Sequence, residues 1–193
     1  MHSLSEQTVL KHGELIWKEF IEPFGNELKE AYPRLRDSCM LFGQATLAFD
    51  AGARMGAVIL CRTALESALY TLRYTKRKGL MSWDLLEPPR NEKCEYEMVP
   101  LTKLLKFIKN KVTIDQLCEL NRIKDDGDFV AHIADRLNRE ILQAETIEQM
   151  GKIRLWISDE EALKDLKGTA MLLQVLGNIA AKEPFLKAEE LER

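Results

Sequence analysis

The chain has 193 residues, 46% of them hydrophobic and 31% charged, a balance that fits one globular domain and excludes intrinsic disorder. The formal charge of −3 gives no whole-chain positive field toward nucleic acid or anionic lipid, so only a local basic patch could supply one. No apolar run stands out as reaching the roughly 20 residues that span a bilayer, and residues 1–11 lack the apolar core of a signal peptide. The expectation is a cytoplasmic protein that does not engage a membrane.

Apolar residues recur at helical spacing along almost the whole chain, and two-residue alternation is nearly absent. The first predicted helix covers about residues 13–31, with Ile16, Phe20, Phe24 and Leu28 on one face and Pro23 kinking or dividing it. Pro33 is expected to open the second helix, where its missing N–H costs nothing, and Leu35, Cys39, Phe42, Ala45 and Phe49 form its stripe. The third runs from about Gly52 to Lys78. Ala53, Ala57, Cys61, Ala64, Ala68 and Leu72 give it a face of small residues, and Val58, Ile59, Leu60, Leu65 and Leu69 make it apolar on most sides. It should be the central helix.

Residues 79–98, with Pro88-Pro89 and a polar run after them, form the one long break, expected to be an unstructured flap or insertion. Leu101, Leu104, Leu105 and Ile108 mark a short fourth helix. Thr113 and Gln116 have capping-box spacing and start a fifth, with Ile114, Leu117, Leu120 and Ile123 inward. Lys124-Asp125-Asp126-Gly127 should end it, and a sixth should resume near Asp128 with Val130, Ile133, Leu137 and Ile141 inward. A second capping box, Ser158 and Glu161, starts a last long helix with Ala162, Leu166, Leu173 and Leu176 inward. The fold class is therefore all-α, a single antiparallel helical bundle within one domain, residues 1–193. Its core lies at about 33–182, with an additional N-terminal helix at 13–31 and a charged tail at 184–193.

The four cysteines, Cys39, Cys61, Cys94 and Cys118, form no C-x-x-C pair. Structural zinc usually needs such local pairs, so buried, reduced thiols are expected and no metal or cofactor is assigned.

Three groups of residues could carry chemistry. Arg62 and Glu66 share a face of the most apolar helix, where each charge needs a partner, so they form either a structural ion pair or the floor of a polar pocket. Lys124-Asp-Asp-Gly-Asp-Phe-Val-Ala-His132 places a histidine on the first turns of the expected sixth helix, with Asp126 or Asp128 as its cap. Asp128, His132 and Asp135 also fall at i, i+4 and i+7, a spacing that could help hold a divalent metal, although a solvated face with a cap explains it more simply. Arg73, Lys76, Arg77 and Lys78 cluster at the end of the central helix. There they complement the helix dipole or, as the sharper reading, bind phosphate. Walker-type and dinucleotide-type glycine loops, H-E-x-x-H and G-x-S-x-G are all missing from the sequence.

An apolar helix with R-x-x-x-E, followed by R-x-x-G-N-x-x-x-H, resembles the family catalogued as domain of unknown function 4145, within the HEPN-like superfamily of helical bundles. Here the elements read Arg62-x-x-x-Glu66 and Lys124-Asp-Asp-Gly127-Asp128-Phe-Val-Ala-His132, with lysine for arginine and aspartate for asparagine, and the likeness covers roughly residues 42–180. The resemblance implies a polar site of Arg62, Glu66, Lys124, Asp128 and His132. Some HEPN-like proteins are metal-independent ribonucleases that use an arginine followed four to six residues later by a histidine. In this chain seven residues separate Lys124 from His132 and nine separate Arg122 from it, which weakens that reading. Many relatives of this kind are accessory domains in prokaryotic defence or toxin–antitoxin settings. The expectation is a non-catalytic helical module, forming a homo-oligomer or binding a partner protein, with RNA or a nucleotide as another ligand. The alternatives are a ribonuclease with His132 as catalytic acid or base, and a metal-dependent hydrolase.

Overall fold

The structure, a computed structural model, describes residues 25–77, 83–85, 99–133, 135 and 156–182. They form an all-α bundle of five helices: α1 (Gly25–Asp50), α2 (Arg54–Tyr74), α3 (Leu101–Ile108), α4 (Ile114–Ala131) and α5 (Asp159–Lys182). A two-stranded antiparallel ribbon, β1 (Thr75–Arg77) and β2 (Trp83–Leu85), follows α2, with Lys76 opposite Asp84.

Most of the apolar stripes are buried as predicted, but Ile114, expected inward at the start of α4, is exposed. Leu35, Cys39, Phe42 and Ala45 of α1 are buried, as are Leu101, Leu104, Leu105 and Ile108 of α3 and Ala162, Leu166, Leu173 and Leu176 of α5. The small face of α2 lies deepest: Ala57, Cys61, Ala64 and Ala68 have no solvent exposure at all. Small side chains let neighbouring backbones come close, and α2 packs against all four other helices. By length and composition α2 would suffice to cross a bilayer, against the expectation above; in the fold nine of its residues are buried in the bundle.

Both capping boxes are present. The Gln116 N–H donates to Thr113 Oγ1 at 3.3 Å and the Thr113 N–H donates to Gln116 Oε1 at 2.9 Å. At α5 the Glu161 N–H donates to Ser158 Oγ at 3.2 Å and the Ser158 N–H to Glu161 Oε2 at 2.8 Å. Each box satisfies two donors that a helix start leaves unpaired. The α1–α2 turn is closed by a Schellman motif: the Ala53 N–H donates to Ala48 O and the Gly52 N–H to Phe49 O, both at 2.8 Å. Gly52 takes the left-handed conformation this requires, with φ at 80°.

Four expectations are corrected. Helix α1 runs through Pro33 instead of starting there. A proline forfeits one N–H and crowds the preceding turn, yet the helix persists across it. The predicted helix at 13–31 lies mostly outside the described residues. Helix α2 ends at Tyr74, short of Lys78: Thr75 is a weak helix former, and Lys76 and Arg77 offer no apolar stripe to bury. The expected unstructured break contains strand β2, and its remaining positions lie outside the described residues. Helix α4 runs unbroken through Gly127. The expected sixth helix therefore does not start at Asp128, and its Leu137 and Ile141, like the tail at 184–193, lie outside the described residues.

Candidate functional site

Gly127 is the key to the local geometry. It sits inside α4 and against α2, with the aliphatic stem of Arg62 lying over its bare backbone. A Cβ at this position would come within 2.7 Å of Arg62 Cβ and 3.0 Å of Arg62 Cγ, and closer still to Cδ. The glycine thus serves as a notch between two helices and leaves the chain helical.

With its stem in the notch, Arg62 reaches across to α4. Its Nη2 lies 3.0 Å from Asp128 Oδ1, and Lys124 Nζ lies 3.0 Å from Asp128 Oδ2. Asp128 therefore bridges two cations, one from each helix. Lys124 also meets Asp125 Oδ1 at 2.8 Å; Asp125 first, then Asp128, favours its ammonium and raises its pKa. The Arg62–Asp128 pair is half-buried, with side chains 24% and 34% exposed. Pairs in that setting contribute about 0.2–1 kcal/mol.

The structure brings together part of the site named from the sequence. Arg62, Lys124 and Asp128 converge. Glu66 forms no ion pair or hydrogen bond with them, nor with any other described residue. His132 is exposed and caps the C-terminal end of α4, where its backbone N–H donates to Asp128 O at 3.1 Å. Its imidazole makes no hydrogen bond or ion pair with the other four. Asp126 and Asp128 are mid-helix and cap nothing. Asp128, His132 and Asp135 do not assemble either: no group of three or more metal-capable side chains occurs among the described residues. The physical reason is that Asp128 turns toward Arg62 and Lys124.

Of the basic cluster expected after the central helix, Lys78 lies outside the described residues. Arg73 stacks over the rings of Tyr74 and Phe107, at 5.5 and 6.0 Å from their centroids, while Lys76 and Arg77 belong to β1. Cys39 and Cys61 are free and buried as expected, but Cys118 is exposed on the solvent face of α4. Burial pushes the Cys39 thiol up to about 11 and the Cys61 thiol up to about 12. Neither serves as a nucleophile near neutral pH.

A second charged node, not singled out from the sequence, lies one turn away on α4. Arg122 Nη2 meets Glu119 Oε1 at 2.7 Å, and its Nη1 meets Asp126 Oδ2 at 3.1 Å and also Asp165 Oδ1 of α5. Asp165 is fully buried, and its Oδ2 has no hydrogen-bond partner. Burial, the largest influence, raises its pKa to about 7; Arg122 pulls against the rise, and Asp126 and Glu119 add to it. On Arg122, burial works against the charge but is outweighed by Glu119 and Asp165, so the guanidinium is held above its usual range. Glu119 is shifted down, chiefly by its hydrogen bond from Arg122. Gly168 of α5 is the seat for Glu119: a Cβ there would meet Glu119 Oε1, and lie 3.0 Å from its Cδ and 3.1 Å from Ile123 Cδ1. The sequence did carry a signal for this node. Glu119, Arg122 and Asp126 have i, i+3 and i+7 spacing, and Asp165 falls on the same face as Ala162, Leu166 and Thr169.

The surface carries two concavities, one of them beside Glu119. A groove of about 930 Å³ runs between α4 and α5, lined on one side by Thr113, Gln116 and Glu119 and on the other by Leu163, Lys167 and Met171. A smaller one, of about 570 Å³, lies where the α1–α2 turn meets the start of α5, beside the exposed Trp156. No protein-family profile, no curated protein and no solved structure matches the chain.

Proposed function

We propose that this protein is a non-catalytic helical module that binds a partner, with the α4–α5 groove as its binding face. One observation carries the reading: the charges that would have to do chemistry are consumed within the molecule. Arg62 and Lys124 are both committed to Asp128, and Arg122 to three carboxylates. A ribonuclease of the kind the resemblance suggests needs a cation beside its histidine to steady a phosphate. Among the described residues, no such cation is paired with or bonded to His132. The groove, by contrast, combines apolar Leu163 and Met171 with polar Gln116 and Lys167, a mixture suited to holding a protein segment. On the resemblance to domain of unknown function 4145, the setting would be cytoplasmic, as an accessory module in a prokaryotic defence or toxin–antitoxin system, acting as a homo-oligomer or with a protein partner.

The test is incubation of the full chain with structured and single-stranded RNA, with and without chelator, beside His132→Ala. The expected result is intact RNA in every arm. Cleavage that resists chelator and is lost in His132→Ala would replace the binding reading with a HEPN-like ribonuclease. Cleavage abolished by chelator would replace it with a metal-dependent hydrolase.

A further inference from the structure

Asp165 is the most deeply placed charge-bearing group described in the bundle, and its surroundings are unbalanced. One guanidinium, Arg122, meets three carboxylates: Glu119 and Asp126 from its own helix and Asp165 from α5. The first two are 22% and 15% exposed and share their charge with water, whereas the Asp165 side chain is 1% exposed. Among the described residues its second oxygen has no hydrogen-bond donor, and Thr169, one turn along the same buried face of α5, interacts with the Cys61 thiol of α2 instead. From α2 the nearby titratable group is Cys61, itself fully buried and neutral. From α5 itself Lys164 acts on Glu119, farther out. The buried polar groups of α1, Ser38 and Thr46, are uncharged. Among the described residues no second cation is paired with Asp165, so an ionised Asp165 is a third negative charge on one arginine, in a buried site.

We propose that Asp165 is a proton-controlled latch that sets how firmly α5 is held against α2 and α4. With the proton on, Asp165 is a neutral core residue, its second oxygen can act as a hydrogen-bond donor, and Arg122 balances Glu119 and Asp126. With the proton off, α5 carries inward a charge that Arg122, shared with Glu119 and Asp126, compensates only in part, and its docking weakens. Glu119, held by Arg122, lines the α4 wall of the groove, so the latch also sets that groove's shape; the latch itself does not depend on the groove binding anything. The sign follows from linkage. The raised folded-state pKa of Asp165 means that the folded chain binds this proton more tightly than the unfolded chain. The stabilisation is complete in acid, below the unfolded carboxylate range, and is lost as pH rises through about 7.

Two measurements on the full chain test this. The first is a carbon-13 titration of the Asp165 carboxyl, assigned through bonds to its own backbone amide so that no variant is needed. The second is amide hydrogen exchange at about pH 6 and about pH 8.5, read as the ratio of α5 protection to α1 protection so that the intrinsic pH dependence of exchange cancels. The expected results are a carboxyl midpoint near neutrality and a ratio that falls about tenfold between the two pH values in the wild type. In Asp165→Asn, which keeps the side chain neutral, the ratio should stay flat. A carboxyl that titrates in the ordinary range, a pH-independent wild-type ratio, or the same fall in Asp165→Asn would each overturn the proposal. If Asp165→Asn does not fold, the two wild-type measurements decide it.

Discussion

A glycine in the middle of an exposed helix weakens it by roughly 1 kcal/mol relative to alanine, and this chain holds glycines of both kinds. Gly43 in α1 has open space where a Cβ would go. Gly127 in α4 has the stem of Arg62, including the Cβ at 2.7 Å, which cannot swing away as the tip of a long side chain can. The same substitution should therefore change sign between them. Gly43→Ala should raise stability by about 0.4–1 kcal/mol. Gly127→Ala should lower it by about 1–3 kcal/mol despite its better helix propensity, because α2 and α4 must part and Arg62 leaves Asp128. Paired denaturant titrations check this, and equal midpoints for the two variants would contradict the notch. The residues of the site were legible in the sequence as a charged segment and a charged pair needing each other, and Arg62 does meet Asp128. What could not be read was the job of Gly127. A glycine among charged residues signals a helix end when only local chemistry is considered, and only the neighbouring helix reveals a close approach. Glu66 was expected in the same site for the same local reason, and no described residue answers it.

At the scale of elements, α2 was the most legible part of the chain, since a stripe of alanines flanked by larger apolar residues has few uses other than close helix packing. Ala64 has no exposed surface and sits at the middle of that stripe. Ala64→Leu adds three carbons where the other helices converge, and should cost about 1–3 kcal/mol. A denaturation midpoint within error of the wild type would remove α2 from the centre of the bundle. The capping boxes at Thr113 and Ser158 were legible because both members stand three positions apart in the sequence and need no tertiary partner. Boundaries set by competition were not. Pro33 signals a helix start, yet α1 carries it internally. Tyr74 gives way to a strand whose pairing partner is Trp83–Leu85.

For the whole molecule, the decisive feature is how two helices are tied at one arginine beside the central third. Arg122 spans from α4 to the buried face of α5, while Cys61 of α2 closes the same interior. Arg122→Met keeps much of the stem's bulk but leaves Asp165 buried without its counter-charge. Breaking a buried pair from one side typically costs 3–5 kcal/mol, and the lower end, about 3 kcal/mol, is expected because Arg122 is itself 23% exposed. The loss should depend on pH in a definite sense. Without Arg122 nothing opposes the burial that already raises Asp165 to about 7, so its folded-state pKa rises further. Below that value Asp165 is neutral and needs no partner. The penalty of Arg122→Met is therefore greatest near pH 8 and should shrink as pH falls toward about 5.5. Adding Asp165→Leu to Arg122→Met removes the orphaned carboxylate and should restore most of the lost stability at pH 8, while flattening the pH dependence. A double-mutant cycle by urea denaturation at the two pH values measures both effects. Additive losses, or a penalty that does not change with pH, would mean that Arg122 and Asp165 merely lie side by side and that α5 is held by its apolar face alone.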